Sequence, residues 1–440
     1  MSEERAAVAP GAETEGGITS SYAVDDGVQL KVPYSFFGSI YGEEEREAAW
    51  EAMQQDTLTM GPQVAAFQRE FAAMCGVKYA FAVTNCTTAM HVATQVFQIG
   101  PGDEVIVTPN TFIATSLVIL KEGARPVYAD IDPVTFNIDP EDVARKVTPR
   151  TKAIYVVHYG GQMCDMDPIM EIARQHGLFV LEDCAHAPGA FICPPECPKP
   201  DLDCPLEPRQ PCKRRMAGAV GDVGCFSFHS LKNMTTCGEG GMITTNRDDF
   251  VDAIEKLRCM NLQHWPDQKD YWIPSHFDVV DVSGRWGNNY RMNEVQAAVG
   301  RAQLRRLHEL NRRRREIGRR ITAGIEGIPG ITPTREAPYA YHVYHLYTLC
   351  VEEEELGASR DDFMRVLYRE EGVQGILHYQ PTYHFTGLKK LGYADNLCPV
   401  AEKFFYRREI NLPMHPRLTD REIEDMISGI RNAAEKVRRR

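Results

Sequence analysis

Two residues of this chain have types and positions suited to amine chemistry. Lys232 lies in a loop that follows the apolar run 223–228, and Asp183 ends the buried run 179–183, where ligands bind in open α/β sheets. Either residue alone is most often a solvated charge or a turn residue. A lysine can form a Schiff base, and an acid can keep a pyridine nitrogen protonated so that carbanion charge drains into the ring. The pair predicts a site for pyridoxal 5'-phosphate (PLP).

A PLP site also needs residues that bind the phosphate of the cofactor and a side chain that packs against its flat ring. A helix is expected to begin within 84–88 (Thr-Asn-Cys-Thr-Thr), and free amides and the dipole at a helix amino terminus favour anions. The hydroxyls of Thr87 and Thr88 suit a phosphate ester, although Ser and Thr are also common helix caps. Ser227 adds a further hydroxyl. Phe112 ends another apolar run and is the candidate for stacking on a ring, with ordinary core packing as the alternative.

Seven short apolar runs alternate with helical patterns and must position these residues. The alternation predicts an α/β fold with a mostly parallel, seven-stranded sheet sandwiched by helices. The runs are 79–84, 104–108, 126–130, 153–158, 178–181, 223–228 and 242–245.

The rest of the chain suggests two domains preceded by a tail. Residues 1–26 lack hydrophobic periodicity and predict a flexible tail. We expect a large domain over 27–305 and a smaller α+β domain over 306–440. A long helix beginning near Asn293 joins them, and the arginine run 312–315 within it predicts a solvated helix face.

Composition narrows the class of protein. The 440 residues carry a formal charge of −12, which disfavours a nucleic-acid binder. No apolar stretch is long enough to span a bilayer, so no membrane partner and a cytoplasmic location are expected. Nine of the 13 cysteines are scattered through predicted strands and helices, which favours a reducing compartment over a disulfide framework.

A cysteine- and proline-rich insertion, 193–215, interrupts the predicted sheet. Four cysteines invite the hypothesis of a structural zinc site, but their spacing lacks the paired C-x2-C pattern that is usual for zinc. We therefore predict no metal and keep the zinc site as the alternative. The four are Cys193, Cys197, Cys204 and Cys212.

A series of short motifs follows the chain in order, in addition to the lysine loop. They are Gly61-Pro62, PGDEVI at 101–106, GARPV at 123–127, TKAI at 151–154, EDCAHA at 182–187, HYQP at 378–381, PVAE at 399–402 and LPMHP at 412–416. With these motifs the chain resembles the DegT/StrS-type sugar aminotransferases, a family of fold-type I PLP enzymes, over roughly residues 33–435.

The resemblance implies roles for several residues. Lys232 would carry the cofactor and move the proton, and Asp183 would pair with the pyridine nitrogen. His186 occupies the position that contacts the ring hydroxyl, often Gln in the family. Contacts with the phosphate are implied for Thr87, Thr88 and Ser227.

The segment 287–292, with Asn289, matches a stretch that a second subunit contributes to the phosphate side of the site. This implies a homodimer whose active sites are shared across the interface. Arg291 and His378 are candidates for contact with the donor's carboxylate or the acceptor sugar.

These features predict an aminotransferase that moves an amino group from glutamate or glutamine to a ketone carbon of a nucleotide-linked ketosugar. The alternative acceptor is a free keto-sugar or ketocyclitol, as in aminoglycoside-type pathways. A PLP-binding regulatory protein without turnover is a third hypothesis. A related branch of the family replaces the lysine with histidine and acts as a dehydratase, so Lys232 argues against that branch.

Overall fold

A computed structural model of the protein describes residues 27–193, 214–264 and 277–439. The predicted tail, 1–26, and most of the predicted insertion lie outside these residues. All seven predicted apolar runs form strands, and these seven strands make one sheet.

The strands are β1 (Tyr79–Val83), β2 (Glu104–Val107), β3 (Arg125–Tyr128), β4 (Thr151–Val157), β5 (Phe179–Asp183), β6 (Phe191–Ile192), β7 (Arg215–Met216), β8 (Val223–Ser227), β9 (Gly241–Thr245), β10 (Leu262–His264), β11 (Phe277–Val279), β12 (Ile331–Thr332), β13 (Ala340–Tyr341), β14 (Tyr347–Val351) and β15 (Glu409–Leu412).

The helices are α1 (Glu43–Met53), α2 (Pro62–Cys75), α3 (Cys86–Val96), α4 (Ala114–Lys121), α5 (Pro140–Lys146), α6 (Met166–His176), α7 (Val251–Arg258), α8 (Glu294–Ile325), α9 (Glu353–Leu356), α10 (Arg360–Arg369), α11 (Thr386–Lys390), α12 (Pro399–Lys403) and α13 (Asp420–Arg438).

The large sheet has the strand order β1-β9-β8-β5-β4-β2-β3. The five strands from β8 to β3 are parallel, and β9 runs antiparallel to both of its neighbours. Side chains on β2 alternate between two apolar cores, with Val105 and Val107 in one and Ile106 in the other. Helices therefore cover both faces, and the predicted fold-type I α/β architecture is confirmed.

The start of β9 brings three strand ends into one row. Gly241 pairs with Val83 of β1 on one side and with Ser227 of β8 on the other. A Cβ atom on Gly241 would lie 2.5 Å from the carbonyl carbon of Asn85, the residue that precedes α3. Only glycine permits this approach, which places the start of α3 beside Ser227.

The carboxy-terminal portion is built on a three-stranded sheet in the order β12-β14-β15. A separate apolar core lies between this sheet, α10, α13 and the end of α8. Helix α8 begins at the predicted place, with the Asn293 side chain accepting the Gln296 N–H at 2.8 Å. It runs without a break across residues 305 and 306, so the division at that point stays a prediction.

The predicted solvated face of the arginine run is wrong for Arg314 and Arg315, whose side chains are 0% and 1% exposed. Arg314 donates to the carbonyls of Tyr344 at 2.9 Å and Met414 at 3.1 Å, and also to that of Gly38. The guanidinium replaces water with main-chain acceptors from three distant segments. Hydrogen-bonding capacity, rather than solvation, decides the placement of this arginine.

Within the described part of the chain, no helix is both long and apolar enough to cross a membrane. The cysteines of these segments form no disulfide bonds with one another. The location of the protein stays a prediction.

Candidate active site

The loop between β8 and β9 holds Lys232 and is closed by its own backbone. Phe228 donates its N–H to the Gly240 carbonyl at 2.8 Å, and Ser230 donates to Gly238 at 3.0 Å. Gly38 packs over the loop, where an added Cβ would lie 2.0 Å from the Leu231 carbonyl oxygen. Lys232 is thus held half-buried by a segment almost 200 residues away in sequence.

Asp183 ends β5, the strand next to β8, and its side chain is nearly enclosed. One carboxylate oxygen accepts the Thr115 hydroxyl at 3.0 Å. The other accepts the Ala185 N–H at 3.0 Å and the Cys86 thiol at 3.8 Å. Burial raises the pKa of Asp183, while the bonds from Ala185 and Thr115 and the charge of Lys232 oppose that rise.

Lys232 and Asp183 interact electrostatically in this enclosed space. Burial lowers the pKa of the Lys232 amine from 10.5 to about 8, because a desolvated ammonium is disfavoured. Asp183 acts in the opposite direction, since its negative charge favours the ammonium. About a tenth of Lys232 is therefore a neutral, nucleophilic amine at pH 7, far more than for a solvated lysine.

The predicted phosphate residues meet at the start of α3. Ser227 is buried there, and Thr87 and Thr88 are half-buried. Thr88 takes part in a capping box: its hydroxyl donates to the Asn85 carbonyl at 2.8 Å and accepts the Asn85 N–H at 3.2 Å. Its hydroxyl is thus engaged by the cap, and the anion-binding capacity of this corner rests on first-turn amides, Thr87 and Ser227.

An aromatic layer lies beside the lysine loop. Phe112 is 61% exposed, and its ring centroid lies 6.3 Å from that of Tyr379. Tyr379 in turn contacts His186, with 3.2 Å between its hydroxyl and Nε2. The second nitrogen of His186, Nδ1, accepts the Gly160 N–H at 3.3 Å, so Nε2 carries the ring proton.

Three histidines share the surroundings of Lys232. The rings of His186 and His345 lie 4.2 Å apart. Burial and then the charge of Lys232 lower the pKa of His378 to about 4, and burial also places the pKa values of His186 and His345 well below the usual range. All three imidazoles are therefore neutral at pH 7 and serve as hydrogen-bonding groups rather than as cations.

Asn289 and Arg291 do not join the Lys232 cluster in the single chain. Asn289 is exposed, and its side-chain oxygen accepts the Arg291 Nε–H at 3.0 Å. The backbone of this segment pairs with the end of β1, where Thr84 donates its N–H to the Tyr290 carbonyl at 2.9 Å. The segment thus lies on the edge next to the start of α3.

Of the four insertion cysteines, the described residues include only Cys193, whose N–H donates to the Tyr339 carbonyl at 2.9 Å. Cys197, Cys204 and Cys212 lie outside them, so the zinc hypothesis and the prediction of no metal are both untested.

A different group of side chains, at the carboxyl ends of β4 and β5, has its metal-ligand atoms within 4.8 Å of one another: His158, Glu182 and Cys184. The Glu182 carboxylate accepts His158 Nε2–H at 3.0 Å and backbone N–H groups from the loop before β8. His158 Nδ1 accepts the Cys164 N–H at 3.1 Å. Hydrogen bonds within the protein thus already use both imidazole nitrogens of His158 and both carboxylate oxygens of Glu182. The group links the loop before β8 to β5.

Residues 39–431 match the DegT/DnrJ/EryC1/StrS aminotransferase family. Because the match covers most of the 440 residues, the chain belongs to this family. The predicted resemblance and the prediction of a PLP-dependent aminotransferase are confirmed.

Two relatives and one solved structure illustrate the similarity. The spore coat polysaccharide biosynthesis protein SpsC of Bacillus subtilis (strain 168) is 38% identical over 91% of this chain and 96% of its own length. GDP-perosamine synthase of Caulobacter vibrioides is 37% identical over 88% of this chain and 94% of its own length. The PLP form of Spr1654 from Streptococcus pneumoniae superposes with a TM-score of 0.78 at 25% identity, covering 92% of this chain and 99% of that one.

Several residues of the site escaped the sequence analysis. Tyr379 and His345 contact His186 from segments more than 150 residues away. No local pattern marks His345, whereas Tyr379 lies in the HYQP motif, in which only His378 was given a role. Thr115 was detectable in principle, because it lies one helical turn after Thr111 and three residues after Phe112.

The pKa of Lys232 can be measured through its reactivity in the cofactor-free protein. Only the neutral amine reacts with acetic anhydride, so the rate at Lys232 should rise with pH and reach half of its maximum at about pH 8. Asp183→Asn removes the charge that favours the ammonium and should move this midpoint to lower pH. Quantitative peptide mass spectrometry gives the rate at each lysine.

Lys78 is the internal control, because its ion pair with Asp248 raises its pKa above the usual value. A Lys232 midpoint near 10.5, or no change in Asp183→Asn, would contradict the electrostatic coupling.

Proposed function

We propose that Lys232 binds PLP covalently and that the enzyme moves an amino group from glutamate or glutamine to a ketone carbon of a nucleotide-linked ketosugar. The observation that carries the proposal is the desolvated Lys232 amine beside the buried Asp183 carboxylate. The similarity to the PLP form of Spr1654 supports the cofactor.

The donor set fits the chemistry of this cofactor. Asp183 supplies a buried acceptor for a protonated ring nitrogen, and the start of α3 with Ser227 supplies an anion site beside it. Phe112 presents an exposed ring to a flat partner, and His186 Nε2–H is placed to donate beside Tyr379. When bound, the cofactor supplies an electron sink and carries the amino group between the donor and the acceptor.

Lys232 moves the proton in each half of the transfer. With a pKa lowered to about 8, its free amine can take a proton from carbon and return it without a large driving force in either direction. Neutral His186, His345 and His378 add no positive charge that would suppress this amine further. His378 and Arg291 remain our candidates for substrate contact.

The amino donor and Lys232 can be tested together by absorbance spectroscopy. The purified protein with PLP should show a visible band that shifts on addition of glutamate or glutamine. Lys232→Ala should lose the band of the covalently held cofactor, and proton transfer should slow by about a thousandfold or more. If the wild-type protein shows no such band even with excess PLP, the proposed cofactor role of Lys232 is wrong.

The two acceptor classes differ in charge, because only the nucleotide-linked ketosugar carries a diphosphate. GDP-perosamine synthase is named for a nucleotide-linked product, and its similarity supports a nucleotide-linked acceptor for this chain. UDP, GDP or dTDP should then inhibit amination competitively with the acceptor, because the site must hold the diphosphate. Inhibition by none of the three would favour a free keto-sugar or ketocyclitol instead.

We further propose a homodimer in which Asn289 of each chain completes the phosphate side of the other site. Its support is the exposure of Asn288 and Asn289 on that edge and the exposure of large apolar side chains on adjoining segments. Those side chains are Leu58, Met60 and Trp286.

Subunit mixing tests the shared site. Lys232→Ala and Asn289→Ala should each be weakly active alone, but a denatured and refolded equal mixture should recover about a quarter of the wild-type sites, since half of the dimers then hold one intact site. Matching recovery without mixing, or none after mixing, would contradict a shared site. Sedimentation measurements confirm that both variants are dimers.

A further inference from the structure

A pair of buried threonine hydroxyls backs the Asp183 carboxylate. Thr115 and Thr111 are 0% and 2% exposed. Thr115 Oγ1 lies 3.0 Å from Asp183 Oδ2, and the two threonine hydroxyl oxygens are 2.8 Å apart. Thr111, Thr115 and Asp183 thus form a buried chain of hydrogen bonds.

The direction of these bonds follows from their chemistry. An ionised carboxylate only accepts, so the Thr115 hydroxyl donates its single proton to Asp183. Thr115 is then left as an acceptor, and Thr111 must donate to it. The alternative acceptor for Thr115, the Phe112 carbonyl, lies farther away at 3.4 Å. Hydrogen bonds in such a chain polarise and strengthen one another.

Donors from the protein occupy most of the hydrogen-bond acceptor positions of the Asp183 carboxylate. Asp183 accepts Thr115 on one oxygen, and Ala185 and Cys86 on the other. Two carboxylate oxygens offer about four acceptor positions, so about one remains for a further donor. Because the other three are fixed by the chain, the orientation of the carboxylate plane is fixed as well.

The same turn also carries the exposed ring. Thr111 and Thr115 flank Phe112, and α4 begins within this segment at Ala114. Asn110 anchors the segment by donating to the Phe136 carbonyl at 3.1 Å. A single short segment therefore sets the carboxylate and the proposed stacking ring relative to each other.

We propose that Thr115, supported by Thr111, is a positioning residue that orients the Asp183 carboxylate toward the cofactor's ring nitrogen and keeps it ionised. This inference rests on the proposed function of Asp183. The bond from Thr115 opposes the rise in the pKa of Asp183 that burial causes, which agrees with this role. Without the hydroxyl, the buried carboxylate would bind a proton more readily.

The inference can be tested by the affinity of the holoenzyme for PLP. The full-length protein is dialysed against graded PLP concentrations, and bound cofactor is measured by absorbance. Thr115→Val keeps the side-chain shape and should weaken binding about 10-fold or more, which is about 1.4 kcal/mol per factor of ten. Thr115→Ser keeps the hydroxyl and should stay within about threefold of the wild type. Thr111→Val should have a smaller effect than Thr115→Val.

The control is Thr94→Val, which removes another fully buried hydroxyl. Thr94 accepts from Tyr155 at 2.8 Å and donates to the Met90 carbonyl at 2.7 Å. This variant should lose stability, seen as a lower Tm, without a change in affinity for PLP. An equal loss of affinity in Thr94→Val and Thr115→Val would show a general packing effect and overturn the inference.

A double-mutant cycle separates positioning from packing. In an Asp183→Asn background, Thr115→Val should change the affinity for PLP by less than about twofold, since the carboxylate it serves is gone. The same 10-fold loss in both backgrounds would overturn the inference. If Thr115→Val does not fold, Thr111→Val takes its place in the cycle.

Variants at Asp183 and Thr115 distinguish a failure of the proposed function from a failure of this inference. If Asp183→Asn weakens binding and Thr115→Val does not, the positioning role is wrong while the role of Asp183 stands. If Asp183→Asn binds PLP as tightly as the wild type, the proposed role of Asp183 is wrong, and the inference about Thr115 fails with it.

Discussion

A buried carboxylate beside a desolvated amine is the constraint on which the rest of this site depends. Burial alone would neutralise both groups, by protonating Asp183 and deprotonating Lys232. The two groups oppose this effect in each other, because the charge of Asp183 favours the ammonium of Lys232 and the charge of Lys232 favours the carboxylate of Asp183. The balance leaves a lysine that can act both as a nucleophile and as a proton carrier near neutral pH.

The sheet makes this pairing possible. Strands β5 and β8 are parallel neighbours, and their carboxyl ends deliver Asp183 and the lysine loop to one edge. The antiparallel strand β9 then returns the chain, and Gly241 lets it approach α3 closely enough for the anion site to form on the same edge. The strand order thus places the acid, the lysine loop and the anion site on the same edge of the sheet.

The sequence predicted what is local and missed what is distant. Apolar runs mark the seven strands directly, and the lysine loop and the acid at the end of β5 follow from them. Thr88 was predicted as a phosphate contact from its hydroxyl and from the family resemblance; the structure shows this hydroxyl in the cap of α3, and the phosphate contact stays a prediction. Tyr379 and His345 enter through tertiary packing, which leaves no periodic signal. The burial of Arg314 also depends on carbonyls from three remote segments, so charge alone pointed to solvent.

Helix α8 has a mechanical consequence. Its 32 residues form a rod about 48 Å long that starts at the 287–293 edge and ends in the carboxy-terminal core. A hinge at residues 305 and 306 would have to break main-chain hydrogen bonds of this rod, and the Arg314 clamp fastens it to both halves of the molecule. The helix and the Arg314 clamp therefore brace the two halves against rotation about residues 305 and 306.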